Sequence, residues 1–102
     1  MSQKYLVQIL LPLSGPAGPA AAALAKVSEE LTDRFGGVTA YTRTPATGLW
    51  KTSGDTDRDM VVMVEVVVDH FDRRWWVAYR EALEQRFSQE LIHTRALAVE
   101  VI

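Results

Sequence analysis

Two similar halves make up most of this chain, and each half has the pattern of a strand, a helix and a second strand. The halves align at an offset of 52 residues, which superposes Leu31, Arg34, Phe35 and Thr42 on Leu83, Arg86, Phe87 and Thr94. A repeated strand–helix–strand unit is a strong constraint, because the apolar helix stripes and one side of every strand must be buried together.

Hydrophobic periodicity assigns six elements to the chain. Apolar runs predict strands over 5–13, 38–44, 60–68 and 91–102, and stripes at three- and four-residue spacing predict helices over 19–35 and 72–87. This order is that of a ferredoxin-like βαββαβ fold in the α+β class. Right-handed crossovers place both helices on one face of a four-stranded antiparallel sheet with strand order 4-1-3-2. The length suits one domain over residues 1–102.

Each predicted helix carries one apolar stripe of four residues: Leu24, Val27, Leu31 and Phe35 in the first, and Trp76, Tyr79, Leu83 and Phe87 in the second. Gly36 and Gly37 end the first helix, because glycine accepts the left-handed conformation of a helix C-cap. Asp72 is the predicted N-cap of the second helix. We expect the two stripes to form the core together with the helix-facing sides of the strands.

The other side of the sheet, called the open face below, follows from the alternation of side chains along each strand. It contains Leu6, Gln8, Leu10, Thr39, Tyr41, Arg43, Val61, Met63, Glu65, Val67, His93, Arg95, Leu97 and Val99. A bare face with so apolar a centre is unusual on a soluble monomer. Our first interpretation is that a second copy of the chain covers it. A ligand cavity is the second interpretation and a different partner protein the third.

The segment 45–59 joins the two halves and has no counterpart in either. It is far longer than the usual hairpin loop of about 2–5 residues. We therefore expect a lid, a binding loop or a flexible excursion. Trp50 within it either anchors a ligand or partner, or packs onto the core of the protein itself.

Composition excludes several classes of function. A net charge of -2 argues against a general nucleic-acid binder. The absence of cysteine excludes disulfides and thiolate chemistry. Since the two histidines, His70 and His93, fall on separate elements, we expect no metal site and no cofactor. The acidic run 55–59 resembles the start of a calcium loop but lacks the glycine and glutamate that such a loop requires, and we find no catalytic motif.

The N-terminal segment has features of a secretory signal and also of the first strand of the repeat. Lys4 precedes an apolar run over 5–13, and small residues follow at 21–25, which is the outline of a secretory signal. Gln8 interrupts the run, however, and cleavage would remove the first strand of the repeat. Because no stretch approaches the roughly 18 apolar residues of a membrane span, we expect a cytoplasmic protein that does not associate with membranes.

Four short strings resemble a group of short bacterial proteins of unknown function: RFGGVT at 34–39, PATGLWK at 45–51, RD at 58–59 and RFSQE at 86–90. The resemblance spans about residues 30–100 and implies a standalone ferredoxin-like domain, without implying a reaction. The plan is also similar to that of dimeric α/β-barrel proteins, which include small oxygenases, dehydratase-like enzymes and stress-related binders. None of the catalytic residues of those enzymes can be assigned to a position here.

Two hypotheses for function follow. The first is a homodimer formed through the open face, in an interaction or structural role. The second is a small-molecule binding protein, or a dimeric α/β-barrel-type enzyme, with its site between the open face and the segment 45–59. Its candidate ligand-binding residues are Tyr41, Arg43, Trp50, Glu65, His93 and Arg95. Arg43 and Arg95 would bind an anionic group of a small ligand, and His93 or Glu65 would transfer a proton.

Overall fold

A computed structural model describes residues 2–12, 14–15, 18–19, 21–41, 46–52 and 55–102, with the backbone alone at 2, 14–15, 18–19, 46–52 and 55–60. Its helices are α1 (Ala21–Phe35) and α2 (Arg73–Arg86). Its strands are β1 (Ser2–Pro12), β2 (Ser14–Gly15), β3 (Gly18–Pro19), β4 (Thr39–Ala40), β5 (Ala46–Thr52), β6 (Asp55–Val68) and β7 (Thr94–Val101).

The main sheet has the order β4-β6-β1-β7, and every described pair in it is antiparallel. The four predicted strands correspond in chain order to β1, β4, β6 and β7, so this order, read from the β7 edge, is the predicted 4-1-3-2. The ferredoxin-like βαββαβ arrangement and the α+β class are therefore confirmed. The long strands β1 and β6 are central, and β7 forms one edge.

The segment between the halves differs from its prediction. The connection 45–59 was expected to be a loop, but β5 pairs with the first part of β6, from Ala46 opposite Val61 to Thr52 opposite Asp55. The expectation was wrong because 55–59 is acidic and has no apolar alternation, so the sequence contains no local strand signal there. The pairing with β5 satisfies the backbone groups of this polar stretch instead.

Element boundaries also shift. β1 begins at Ser2 rather than residue 5, and β7 begins at Thr94 rather than residue 91. The second predicted strand, 38–44, is reduced to β4, and residues 42–45 lie outside the described residues.

Both helices pack their predicted stripes against the sheet. Leu24, Val27 and Leu31 of α1 are buried, as are Trp76 and Leu83 of α2. The stripe members Phe35 and Tyr79 are only half buried, because they lie at the rim where the two helices meet around Trp75.

The helix ends follow the sequence signals. The side chain of Asp72 accepts a hydrogen bond from the Trp75 amide, as an N-cap does. Gly36, with φ of 87°, takes the left-handed conformation that ends α1, and its amide donates to the Thr32 carbonyl at 2.8 Å.

An ion pair joins the two helices. Arg86 of α2 donates two hydrogen bonds to the Glu30 carboxylate of α1, at 2.8 and 3.0 Å, and the Tyr79 hydroxyl donates a third at 3.0 Å. The Arg86 hydrogen bonds hold the pKa of Glu30 below its ordinary value. Burial, and then the hydrogen bond to Glu30, raise the pKa of Tyr79.

Arg34, which aligns with Arg86 in the sequence repeat, lies over the Trp75 ring, 4.2 Å from its centroid. Equivalent positions of the two halves thus each contact the opposite helix.

Candidate functional site on the open face

The open face forms as the strand alternation predicts along β1 and at Glu65 and Val67 of β6, but Val61, which was predicted to lie on it, is buried at 7% exposed. Along β1, Val7, Ile9 and Leu11 are buried toward the helices, while the intervening residues are half buried on the other side. Along β6, Glu65 and Val67 lie on the open face between buried valines. The sheet therefore has one side packed by helices and a second side on which Gln8 and Glu65 are half buried and Val67 is exposed.

A row of polar side chains crosses the open face from edge to edge. Arg95 of β7 donates from Nε to Gln8 Oε1 of β1 at 2.6 Å. Gln8 in turn donates from Nε2 to Glu65 Oε1 of β6 at 2.9 Å. The Tyr41 hydroxyl donates to the second carboxylate oxygen of Glu65 at 3.2 Å. These four residues are called the polar row below.

Strand register produces this row. Gln8 lies directly opposite Glu65 in the β1–β6 ladder and directly opposite Arg95 in the β1–β7 ladder. Tyr41 reaches the same level because its amide donates to the Met63 carbonyl at 2.9 Å, just beyond the β4–β6 ladder. Directly opposed residues project from the same face of a sheet, so the three side chains from β7, β1 and β6 line up.

Charge is distributed unevenly along the row. Arg95 fixes the Gln8 amide, so that its NH₂ group faces the Glu65 carboxylate. Glu65 receives two neutral donors and no ion pair from a described residue. Its hydrogen bond and negative charge raise the pKa of Tyr41. The row thus presents a positive group at one end and a half-buried carboxylate near the other.

Apolar side chains flank the row. On one side Leu6 lies between Val67 and Leu97, which are 46% and 45% exposed. On the other side Leu10 lies opposite Met63. The exposed apolar surface and the polar row together make this face suited to contact with another molecule.

A groove of about 490 Å³ opens beside Glu65. It is lined by Leu6, Glu65 and Val67 of the open face, and by the segment 35–39 that follows the last turn of α1. Gly36 and Gly37 contribute no side chain to this wall, and a Cβ at either position would meet nothing within 4 Å. The volume falls in the range of small-molecule sites, roughly 300–1,000 Å³.

The structure brings together three of the six candidate residues named from the sequence: Tyr41, Glu65 and Arg95. His93 is exposed just before β7, and only its carbonyl has a described bond, from the Leu10 amide at 3.0 Å. Arg43 lies outside the described residues, as does the side chain of Trp50, whose backbone pairs opposite Asp57 in the β5–β6 ladder.

The sequence placed Gln8 on the open face but did not include it in the candidate site. Gln8 is nevertheless the residue that links Arg95 to Glu65. Its polar character within the otherwise apolar run over 5–13 was the available signal.

The described residues contain no group of three or more histidines, aspartates or glutamates placed to hold a metal ion. They also contain no helix with the length and apolar character needed to cross a membrane.

Comparison with known proteins finds similarity at the level of the fold. No family model and no curated protein sequence matches the chain. A solved structure of a phage SAM lyase in complex with S-methyl-5'-thioadenosine is similar, with a TM-score of 0.55 and 12% identity. The match covers 99% of this chain and 92% of the lyase chain. At this identity the likeness concerns the fold alone.

Proposed function

We propose that this protein binds a small hydroxyl-bearing molecule of the nucleoside class on its open face, beside Glu65. The observation that carries the proposal is the Glu65 carboxylate, which is half buried, takes only neutral donors from Gln8 and Tyr41, and lines a groove of ligand size. An ionised carboxylate offers about four acceptor positions, so it retains capacity for ligand hydroxyl groups.

The groove beside Glu65 also offers apolar surface for a ligand. Apolar surface from Leu6 and Val67 lies next to the carboxylate, and the backbone of Gly36 and Gly37 forms the opposite wall. A concave site of this volume with a few placed polar groups is suited to a small molecule. A flat apolar group would pack on Leu6 and Val67, while hydroxyl groups would donate to Glu65.

The phage SAM lyase supports the choice of ligand class. That protein has the same fold over nearly the whole chain, and its structure contains S-methyl-5'-thioadenosine, a thioether nucleoside. The residue identity of 12% transfers no catalytic role. We therefore extend to this chain the class of ligand and not the reaction.

Thermal unfolding with S-methyl-5'-thioadenosine and with adenosine tests the proposal. A ligand at 100 times its Kd adds about 2.7 kcal/mol of stability, which raises the Tm of a domain this size by about 10 °C or more. Glu65→Gln should abolish the rise, while Glu29→Gln, an exposed carboxylate on α1, should leave it intact. An unchanged Tm for the native protein with both compounds would refute the proposal.

A second candidate function, homodimerisation through the open face, has its own observation. The polar row is self-complementary, because Gln8 lies at its centre, with Arg95 one strand away on one side and Glu65 one strand away on the other. A two-fold axis parallel to β1 and centred above Gln8 would set each Arg95 against Glu65 of the second copy. Such isologous contacts are typical of cyclic dimers, and the exposed Val67 and Leu97 would be buried with them.

Variants that reverse the charges of Arg95 and Glu65 test homodimerisation through the open face. Arg95→Glu alone would oppose two carboxylates and Glu65→Arg alone would oppose two guanidinium groups, so each should weaken the dimer. The double variant restores opposite charges and should recover it. Sedimentation at micromolar concentration gives the readout, and a native protein that sediments as a monomer would refute the candidate.

A further inference from the structure

A second groove lies between α2 and the edge strand β7, and its lining includes Arg95 of the polar row. Its volume is about 330 Å³, and it is lined mainly by Phe71, Arg73, Trp76, Arg80, Thr94 and Ala96. None of the described residues that line it is acidic, although the whole chain has a net charge of -2. The groove is therefore a local cationic site on an acidic protein.

Small residues on β7 create this groove. Ala96 lies opposite Val7 in the β1–β7 ladder and so faces the helices, as Val7 does. Val7 is fully packed, whereas Ala96 is exposed. The short side chain of Ala96 does not reach α2, and the space between strand and helix stays open.

Two arginines of α2 lie along this space without strong partners. Arg73 and Arg80 are seven residues apart, which places them on one side of the helix, two turns or about 10 Å apart. Arg80 forms no hydrogen bond with a described residue, and its Nε is buried without a partner. Its nearest carboxylate oxygens, on Glu84 and Glu81, are 3.8 and 3.9 Å away. The Arg73 guanidinium lies over the Phe71 ring, 5.4 Å from its centroid, and forms no ion pair with a described residue.

Arg73 lies at the N-terminal end of α2, where its charge opposes the helix dipole and the N-cap carboxylate of Asp72 offsets it in part. Arg73 and Arg74 occupy the first turn of α2, which contains no acidic residue. Cations at a helix N-terminus oppose the helix dipole. A bound anion in the groove would offset this repulsion and supply hydrogen-bond acceptors to Arg73 and to Arg80, whose ion pairs with Glu84 and Glu81 are long.

The geometry points to a binding site for a phosphate group between Arg73 and Arg80. Two guanidinium groups match the two negative charges of a phosphate monoester, and arginine binds phosphate oxygens in a bidentate manner. A carboxylate would neutralise only one of them. The ligand class is thus a small phosphorylated molecule, whose apolar part would pack on Phe71 and on Val77, which is 41% exposed.

Titration of the protein with inorganic phosphate, followed by NMR of the backbone amides and arginine Nε–H groups, tests this site. We expect saturable shifts at Arg73, Arg80, Thr94 and Ala96. Sodium chloride and sodium acetate at matched ionic strength should not reproduce them. The variant Arg73→Gln/Arg80→Gln should lose at least tenfold in phosphate affinity, and the matched control Arg74→Gln, an exposed neighbour outside the groove, should retain it.

Two further variants keep the test decisive. The single variant Arg73→Gln, at an exposed position, should weaken binding even if the double variant unfolds. Glu65→Gln on the open face should leave phosphate affinity unchanged, which separates this site from the proposed nucleoside site. Shifts that do not saturate, that acetate reproduces, or that persist with equal affinity in Arg73→Gln would overturn the inference.

Discussion

Replacing Trp76 with alanine would test the packing that holds α2 on the sheet. The indole is 3% exposed, stacks on Phe35 at 5.3 Å with an interplanar angle of 7°, and meets Trp75 edge-on at 4.8 Å. Truncation of a buried tryptophan to alanine costs about 3–5 kcal/mol. That is a large part of the roughly 5–15 kcal/mol that stabilises a domain of this kind.

Urea unfolding followed by circular dichroism measures the effect. With an m value of about 1.5 kcal/mol/M, a loss of about 4 kcal/mol lowers the midpoint by about 2–3 M. Val77→Ala is the matched control, because Val77 is the next residue of α2 and is 41% exposed. Its change should stay within about 0.5 kcal/mol, as for most surface substitutions. Equal losses in the two variants, or an unchanged midpoint for Trp76→Ala, would refute this register of α2.

Two other predictions concern the helices and their ends. The pKa of Glu30 is lowered from 4.5 in the folded protein, so the stability that its carboxylate contributes is complete above pH 4.5 and is lost as pH falls through the folded pKa. Glu30→Gln should flatten this part of a series of urea midpoints measured against pH. An unaltered acid dependence would contradict the role of the Arg86 ion pair. Gly36→Ala should destabilise the protein by about 1–2 kcal/mol in thermal unfolding, because Gly36 has a positive φ. Gly37→Ala, at a position without positive φ, should be neutral or slightly stabilising. A larger loss of stability in Gly37→Ala than in Gly36→Ala would contradict the described end of α1.

The strand order could be predicted because its signals are local. The apolar runs of β1 and β6 mark central strands, and the breakers around α1 separate the first half into its elements. Right-handed crossovers then leave few topologies. The strand β5 was missed because its pairing with residues 55–61 depends on a partner strand and not on its own pattern.

The polar row was partly predictable. Side-chain alternation alone placed Gln8, Glu65 and Arg95 on one face, but their exact alignment depends on the registers of two ladders. A shift of one residue in either ladder would move Gln8 away from its partners. The groove between α2 and β7 was not predictable, since it depends on the small size of Ala96 relative to a helix distant in sequence.

Amide-resolved NMR with S-methyl-5'-thioadenosine tests the central claim, that the open face beside Glu65 binds a nucleoside. Binding there should produce saturable shifts that cluster at Leu6, Gly36, Gly37, Thr39 and Glu65, the residues around the groove of about 490 Å³. Glu65→Gln should remove them while the spectrum stays that of a folded protein. Absence of saturable shifts at these amides in the native protein, or a cluster confined to α2 and β7, would refute nucleoside binding on the open face.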